Sequence, residues 1–159
     1  MAGQMVTMGL DSELQMFETL AEEIEGISKA ALFDGAGTLA DTLTAEIASI
    51  RTEPFRYAFN GHQRLPSPEE KAALQGRIGI AKFQGSGSEV ETLVGPTGDG
   101  YADVAGKTKP VMLIARSINS GTSFMKKQPI FRRAASKGRK AAEEAMRKTA
   151  EERIEQITK

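Results

Sequence analysis

The chain has 159 residues, a length that suits one domain with a hydrophobic core of its own. Its composition includes no cysteine, which excludes disulfides, thiolate nucleophiles and cysteine-ligated zinc and suits folding in a reducing cytoplasm. The 21 basic and 21 acidic side chains give a formal net charge of zero.

No segment of the sequence predicts export or membrane insertion. The first residues lack both the basic and the apolar region of a signal peptide. The longest strongly apolar run, Val111 to Ala115, is much shorter than the roughly 20 residues that cross a bilayer. We therefore predict a soluble protein of one domain, 1–159, with its core over about 10–157, a flexible start at 1–9 and no membrane partner.

The zero net charge hides a strong asymmetry between the two ends of the chain. Residues 1–50 carry nine acidic side chains and one basic one, whereas residues 107–159 carry fourteen Lys or Arg and five Glu. One interpretation is that two solvated helix faces differ in sign. The other is that the acidic end of one subunit meets the basic end of the next, which predicts a head-to-tail ring.

Two helices are predicted before residue 52. The first starts near Asp11 or Ser12 and has an apolar stripe at three- and four-residue steps: Leu10, Leu14, Phe17, Leu20 and Ile24. We expect a break at Glu25-Gly26 and then a long helix over about 27–51. Its stripe is Ile27, Ala31, Gly35, Leu39, Leu43, Ile47 and Ile50. Because Gly35 lies on this stripe, it permits a close helix crossing.

The middle of the chain predicts a loop, a short helix and a β-hairpin. Residues 52–66 contain three turn signals and are predicted to form the loop. Ser67 to Glu70 has the residues of a capping box with proline at the first helical position, so we predict a helix over about 67–76. Alternating apolar residues over 77–94, interrupted by a turn at 85–88, predict antiparallel strands.

The last third of the chain predicts a loop and two further helices. A polar loop is expected from Gly95 to about Pro110, long enough to be a binding element. Residues 111–119 predict a short helix that Gly121 ends. A long final helix starts after Gln128-Pro129, and its small-residue stripe suits close packing along the second helix or a partner subunit. The predicted fold class is α+β: two N-terminal helices, a small antiparallel sheet and a long C-terminal helix.

The sequence contains no arrangement of residues that predicts catalysis. The only histidine, His62, has no acidic or cysteine partner nearby in sequence, so we expect neither a metal site nor a catalytic dyad. Gly100 to Thr108 is close to a phosphate-binding loop, but its glycines have five residues between them instead of four, and Pro110 disfavours the helix that must follow. We predict no enzymatic activity and no catalytic, cofactor-binding or metal-ligating residues. A nucleotide-binding enzyme or hydrolase that uses residues 95–108 is an alternative.

A basic block near the C-terminus is the strongest local signal. No acid occurs between Phe124 and Ala142, where the bases are Lys126, Lys127, Arg132, Arg133, Lys137, Arg139 and Lys140. Three interpretations stay open: a solvated helix face, docking onto an acidic protein surface, and contact with nucleic-acid phosphates. The last would make the chain a sequence-nonspecific DNA-binding protein, because no recognisable DNA-binding motif accompanies the block.

The segment before the final helix has the residues of a well-made turn. Gly121 can adopt a positive φ, and Thr122 can bond the local backbone. Met125 and Phe131 are expected to pin the turn to the core, and Pro129 to start the helix. Contact with a partner is the alternative role of these residues.

Two segments resemble a known family. They are Val94-Gly95-Pro96 and the run from Ser120 to Ala134, SGTSFMKKQPIFRRA. Both resemble the tail-component family of long-tailed bacteriophages, which includes neck, head–tail joining and tail-completion proteins. That family typically has Val-Gly-Pro at a strand end, then Gly-Thr-Ser, Met and Gln-Pro ahead of a C-terminal helix. The order of predicted elements is also similar.

The resemblance implies a structural virion protein that forms a homo-oligomeric ring at the head–tail junction, with an axial channel for DNA. Its expected partners are copies of itself, the connector or stopper proteins, and the tail tube or terminator proteins, assembled in the host cytoplasm.

The residues expected at contacts come from the charged segments and the predicted loop. They are the bases Arg132, Arg133, Lys137 and Lys140, the acids Glu22, Glu23 and Glu25, and the aromatic residue Tyr101. The residues expected to build the structural motif are Gly95, Pro96, Gly121, Thr122, Pro129 and Phe131.

Overall fold

The computed structural model describes residues 3–54, 62–97 and 100–159, with the backbone alone for residues 3–11. These residues form four helices and three two-stranded antiparallel sheets, which confirms the α+β class. In chain order the elements are α1 (Gly3–Ala48), α2 (Pro68–Leu74), β1 (Ile78–Ile80), β2 (Gln84–Ser86), β3 (Glu89–Glu91), β4 (Val94–Pro96), β5 (Tyr101–Val104), β6 (Lys107–Pro110), α3 (Val111–Ser120) and α4 (Ile130–Thr158).

The prediction of two N-terminal helices is wrong, because α1 is one continuous helix of 46 residues. Gly26 lies inside it, where a single glycine costs about 1 kcal/mol relative to alanine, and the Lys29–Glu25 ion pair spans this position. The helix also begins at Gly3 instead of near Asp11. Of the start predicted to be flexible, residues 1 and 2 lie outside the described residues, and the backbone of 3–9 is helical.

The second half of α1 packs along α4, and two glycines allow the helices to approach closely. A Cβ atom at Gly138 would lie 2.9 Å from Leu39 Cδ2 and 3.0 Å from Thr42 Oγ1. A Cβ atom at Gly35 would collide with the side chain of Met146. The close crossing predicted at Gly35 and the packing of the final helix along this part of α1 are therefore confirmed.

The first hairpin is confirmed, but it is divided into two short ladders. β1 pairs with β4, and β2 pairs with β3 in the register Ser86↔Glu89, which leaves a two-residue turn at Gly87 and Ser88. Gly87 has a φ of 61°, as the first central residue of such a turn requires. Val94-Gly95-Pro96 is the β4 strand itself, with Pro96 opposite Ile78.

The polar loop predicted over 95–110 is wrong, because β4 includes Gly95 and Pro96 and a second hairpin occupies its last ten residues. β5 pairs with β6, and Val104 lies opposite Lys107. The two turn residues, Ala105 and Gly106, have φ values of 56° and 73°, the combination that a type I′ turn needs. Residues 98 and 99 of the predicted loop lie outside the described residues.

The core lies where α2, α3 and the start of α4 meet the end of α1. Its most buried members are apolar: Leu43, Ile47, Ile50, Leu74, Val104, Val111, Ile114, Ala115, Ile118, Met125 and Ile130. The predicted capping box is confirmed, with the Ser67 hydroxyl accepting from the Glu70 amide and the Glu70 carboxylate accepting from the Ser67 amide. Lys71 donates to the carbonyls of Ala48 and Ile50, so α2 also caps the end of α1.

Candidate interaction surfaces

The first half of α1 presents large apolar side chains to solvent. The exposed fractions are 56% for Leu14, 62% for Phe17 and 42% for Ile24, and Leu20 on the same stripe is half-buried. Their spacing places them on one face of the helix. We call residues 12–24 the arm. A row of exposed apolar side chains on one helix face makes the arm a candidate contact site.

α4 ends before it can cover the whole arm. The two helices run antiparallel, because Gly138 lies beside Leu39 whereas the Thr149 hydroxyl donates to the carboxylate of Asp34. α4 ends at Thr158, nine residues after Thr149 and twenty after Gly138. Since both helices rise by about 1.5 Å per residue, that end falls between about residues 19 and 25 of α1. The first half of the arm, with Leu14 and Phe17, therefore extends past its only long helical neighbour among the described residues.

The three predicted acidic contact residues lie at or beside the arm. Glu22 and Glu23 are exposed and make no ion pair with another described residue. Glu25 pairs with Lys29 and accepts a hydrogen bond of 3.2 Å from the Gly87 amide at the tip of the first hairpin. These two contacts, Lys29 first, hold the pKa of Glu25 below its ordinary value. Glu22 and Glu23 are thus available to a partner, whereas Glu25 fastens the base of the arm.

Two of the four predicted basic contact residues are occupied within the chain. Lys137 and Arg133 on α4 both pair with Glu46 of α1, which is only 4% exposed. The Arg133 Nε atom lies 3.1 Å from Glu46 Oε2, although Nε and Nη2 are buried without a hydrogen bond to any described residue. This ion-pair cluster fastens α4 to α1, and Glu46 was missed because nothing in its sequence spacing distinguishes it from a solvated acid.

Arg132 and Lys140, the other two predicted bases, are exposed on α4 and make no ion pair with a described residue. Further along the helix, Arg139 pairs with Glu143 at 2.7 Å, and Arg147 pairs with both Glu144 and Glu151. Arg153, near the end of α4, is also exposed and makes no ion pair with a described residue. The unpaired bases of α4 are therefore spread along the helix.

An open apolar groove of about 650 Å³ lies between the first hairpin and the helices α3 and α4. Apolar side chains dominate its lining: Ile80, Leu93, Val94, Pro96, Met112 and Phe131. Leu93 is 76% exposed and Met112 is 45% exposed. The groove could not be predicted from sequence, because β1, β4, α3 and α4 each supply at most three of its residues.

The turn before α4 forms as predicted. The Thr122 hydroxyl accepts from the amides of Phe124 and Met125, and Gly121 ends α3 with a φ of 75°. Met125 is 2% exposed, and Phe131 packs against the core. Pro129 precedes the first residue of α4. These contacts fit the structural role predicted for the turn.

Buried polar contacts that the sequence did not reveal support this turn. Gln128 is 5% exposed, and its side-chain amide donates to the Arg51 carbonyl and accepts from the Arg51 amide. Arg64 makes two hydrogen bonds of 2.8 Å to the carboxylate of Glu70, and its backbone pairs with Met125. Burial alone would raise the pKa of Glu70, but the hydrogen bonds from Arg64 and the Ser67 amide outweigh it and lower the pKa.

The residues considered for chemistry are His62, the segment from Gly100 to Thr108, and Tyr101 within it. His62 is exposed, and the described part of the chain contains no cluster of three potential metal ligands. Lys107 and Thr108 lie in a strand, where a phosphate-binding loop would need the start of a helix. Tyr101 is 61% exposed, and its carbonyl accepts from Arg77 at 2.7 Å. No helix within the described ranges has the length and hydropathy needed to cross a membrane.

Comparisons with protein-family models, with curated proteins and with solved structures find no match to this chain.

Proposed function

We propose that this protein is a structural subunit that works by assembling with copies of itself and with other chains. The observation that carries the proposal is the arm, whose apolar stripe projects past α4 with Phe17 62% exposed. A helix in water is stabilised by burying such a stripe, so the surface is built for a neighbour.

The size of the effect fits an assembly contact. Full burial of one fully exposed large apolar side chain contributes about 1.5–3 kcal/mol. Because Leu14, Phe17 and Ile24 are 56%, 62% and 42% exposed and Leu20 is half-buried, burying what remains of the four contributes roughly half of the full amount, about 3–6 kcal/mol. Association costs about 4–15 kcal/mol in lost freedom. The stripe therefore offsets the lower end of this cost, and charged contacts or closure into a ring supply the remaining affinity.

The more specific proposal follows from the resemblance to phage tail-component proteins. In it the chain is a neck or tail-completion subunit, forms a ring between the head connector and the tail tube, and leaves a channel for DNA. Its site of action is the head–tail junction of the virion. Arg132 and Lys140 are the bases that remain for docking or for contacts with DNA phosphates.

Nonspecific DNA binding by α4 is the second candidate, and the ion pairs weigh against it. Arg133 and Lys137 are held by Glu46, so this part of the basic block has fewer free charges than its sequence suggests. If DNA binding is the function, affinity for a short duplex should fall steeply with salt and should weaken in Arg132→Ala/Lys140→Ala.

The proposal is tested by the mass of the particle in light scattering. We expect the wild type to form a multi-subunit particle and Phe17→Glu to be monomeric with an unchanged helical spectrum, because the charge cannot be buried. Phe33→Glu is the matched control, since Phe33 is 55% exposed on the same helix but lies roughly opposite Phe17 at 100° per residue. A wild type that stays monomeric at its highest soluble concentration would contradict the proposal.

A further inference from the structure

We propose that the arm of one copy docks, through its apolar stripe, in the apolar groove of the next copy. This inference rests on the proposed assembly function and names both halves of its contact. One half is the row of Leu14, Phe17 and Ile24, and the other is the groove that Met112, Leu93 and Phe131 line.

The groove offers an apolar surface that its own chain leaves open. Leu93 and Met112 stand at its edges with exposed fractions of 76% and 45%, and Phe131 is half-buried within it. The groove and the stripe of the arm are therefore both apolar surfaces that are exposed to water in the single chain. When the arm lies in the groove, the exposed apolar side chains of both surfaces are removed from water.

The charges around the two surfaces are complementary. The arm carries four carboxylates, Glu13, Glu18, Glu22 and Glu23, and no base. Lys82 lines the groove, and Arg132 follows the groove residue Phe131 on α4. Arg116 lies one helical turn after Met112 on α3, and all three bases are exposed. Opposite charges around an apolar contact raise its rate of formation and fix its partner.

The same charges disfavour the simplest competing contact, in which the stripes of two arms pair with each other. Such a pairing would place two acidic arms side by side, with four carboxylates and no base on each, and Glu13 lies only about 40° from Phe17 around the helix. Like charges across a seam destabilise it and select against that partner. Docking of the arm in the groove avoids this repulsion.

A chain cannot place its arm in its own groove while α1 is intact. Leu39 and Leu43 of α1 lie beside the groove residues Val94 and Phe131. Phe17 is 22 residues before Leu39 on a continuous helix, which separates them by roughly 33 Å. The occupant must therefore be the arm of a second copy. Because two different surfaces meet, the contact is head-to-tail and propagates into a ring or a filament.

Complementary variants test this contact. Phe17→Glu damages the arm and leaves the groove, whereas Met112→Glu damages the groove and leaves the arm. We expect each variant alone to be monomeric, and an equimolar mixture to form a particle of two copies that does not grow, because the mixture contains one intact arm and one intact groove for each pair. The masses are measured by light scattering after size-exclusion chromatography, with circular dichroism to verify folding.

Leu113→Glu is the matched control for the groove, since Leu113 is 55% exposed on the same helix but does not line the groove. It should assemble like the wild type. If Met112→Glu assembles normally while Phe17→Glu does not, the arm docks elsewhere and this inference alone fails. The inference also fails if the mixture of the two monomeric variants forms no pair. A monomeric wild type would overturn the proposed function as well.

A cysteine pair gives a second readout in a chain that has no cysteine of its own. Phe17→Cys and Met112→Cys in one chain should yield a ladder of disulfide-linked oligomers under mild oxidation, and either substitution alone should not yield the ladder. A double variant that gives no more cross-linked product than the single variants would contradict the contact.

Discussion

The two halves of α1 share one helical period and a similar apolar stripe, yet the chain buries only one of them. Leu43 and Ile47 are 3% and 1% exposed, whereas Leu14 and Phe17 are 56% and 62% exposed. The two halves differ in exposure because α4 packs along the second half of α1 and ends near the base of the arm. Amphipathic periodicity thus indicates that a helix face is built to be buried, but it does not tell which chain will bury it.

The largest expected contrast is between two glutamates, one in the packed region and one at the base of the arm. Glu70→Gln should lower the free energy of unfolding by about 3–5 kcal/mol, because it leaves Arg64 buried without its counter-charge. Glu25→Gln removes a half-exposed ion pair with Lys29 but keeps an oxygen that can accept from the Gly87 amide, so it should cost less than about 1 kcal/mol. Urea unfolding followed by circular dichroism, in a Met112→Glu background that blocks assembly, measures both.

The same contrast should appear as a dependence on pH. The stabilisation from Glu70 is fully present above the pKa of an unfolded glutamate, about 4.3, and is lost as pH falls through its lower folded-state pKa. The wild type should therefore lose more stability than Glu70→Gln between about pH 7 and about pH 3. Equal losses in the two proteins would show that Glu70 does not set the acid response.

The next largest contrast is between two leucines on the two stripes. Leu43→Ala should lower the free energy of unfolding by about 2–5 kcal/mol, because it leaves a cavity in the core. Leu14→Ala should change the stability of the monomer by less than about 1 kcal/mol, since the side chain is 56% exposed and leaves no enclosed cavity. If the two losses are equal in the Met112→Glu background, the arm is packed within the monomer.

The smallest contrast is between two glycines of the helices. Gly138→Leu should destabilise the fold by about 1–3 kcal/mol, because its side chain would meet Leu39 and Thr42. Gly26→Ala should stabilise it by about 0.5–1 kcal/mol, since the nearest described atom outside the adjacent helix backbone, Glu23 Oε2, lies 3.6 Å from an added Cβ. The same urea titrations test both. A destabilised Gly26→Ala would indicate that α1 bends or breaks at that glycine, as its sequence first suggests.

Predictions from the sequence are confirmed where a local chemical signal decides the structure. Ser67 and Glu70 form the predicted capping box, Gly121 ends α3, and the small-residue stripe of α4 packs along α1. The break predicted at Gly26 is wrong, because the low helix propensity of one residue is a small effect in a long continuous helix. The second hairpin was missed because its turn is Ala105-Gly106, without the Asn-Gly or Asp-Gly that usually marks a type I′ turn.

The contact surfaces were harder to predict, because they depend on pairs of residues that are distant in sequence. In the sequence, Arg133 and Lys137 belong to a block without acidic residues and are expected to be free. In the folded chain both pair with Glu46, which is 91 residues away from Lys137. Glu22 and Glu23 were placed on an exposed helix face from local pattern alone, and the structure leaves them there. The sequence shows which side chains are charged, but only the folded structure shows which of them are left unpaired and can contact a partner.

The continuity of α1 has a geometric consequence for any assembly of this chain. No loop separates the arm from residues 28–48, so a helix about 69 Å long carries the stripe at a fixed angle and rotational phase relative to the body. In the proposed head-to-tail assembly, the orientation of this helix would therefore set the direction from one copy to the next. Because the same angle would repeat at every contact, it would also decide whether the copies close into a ring or continue as a filament.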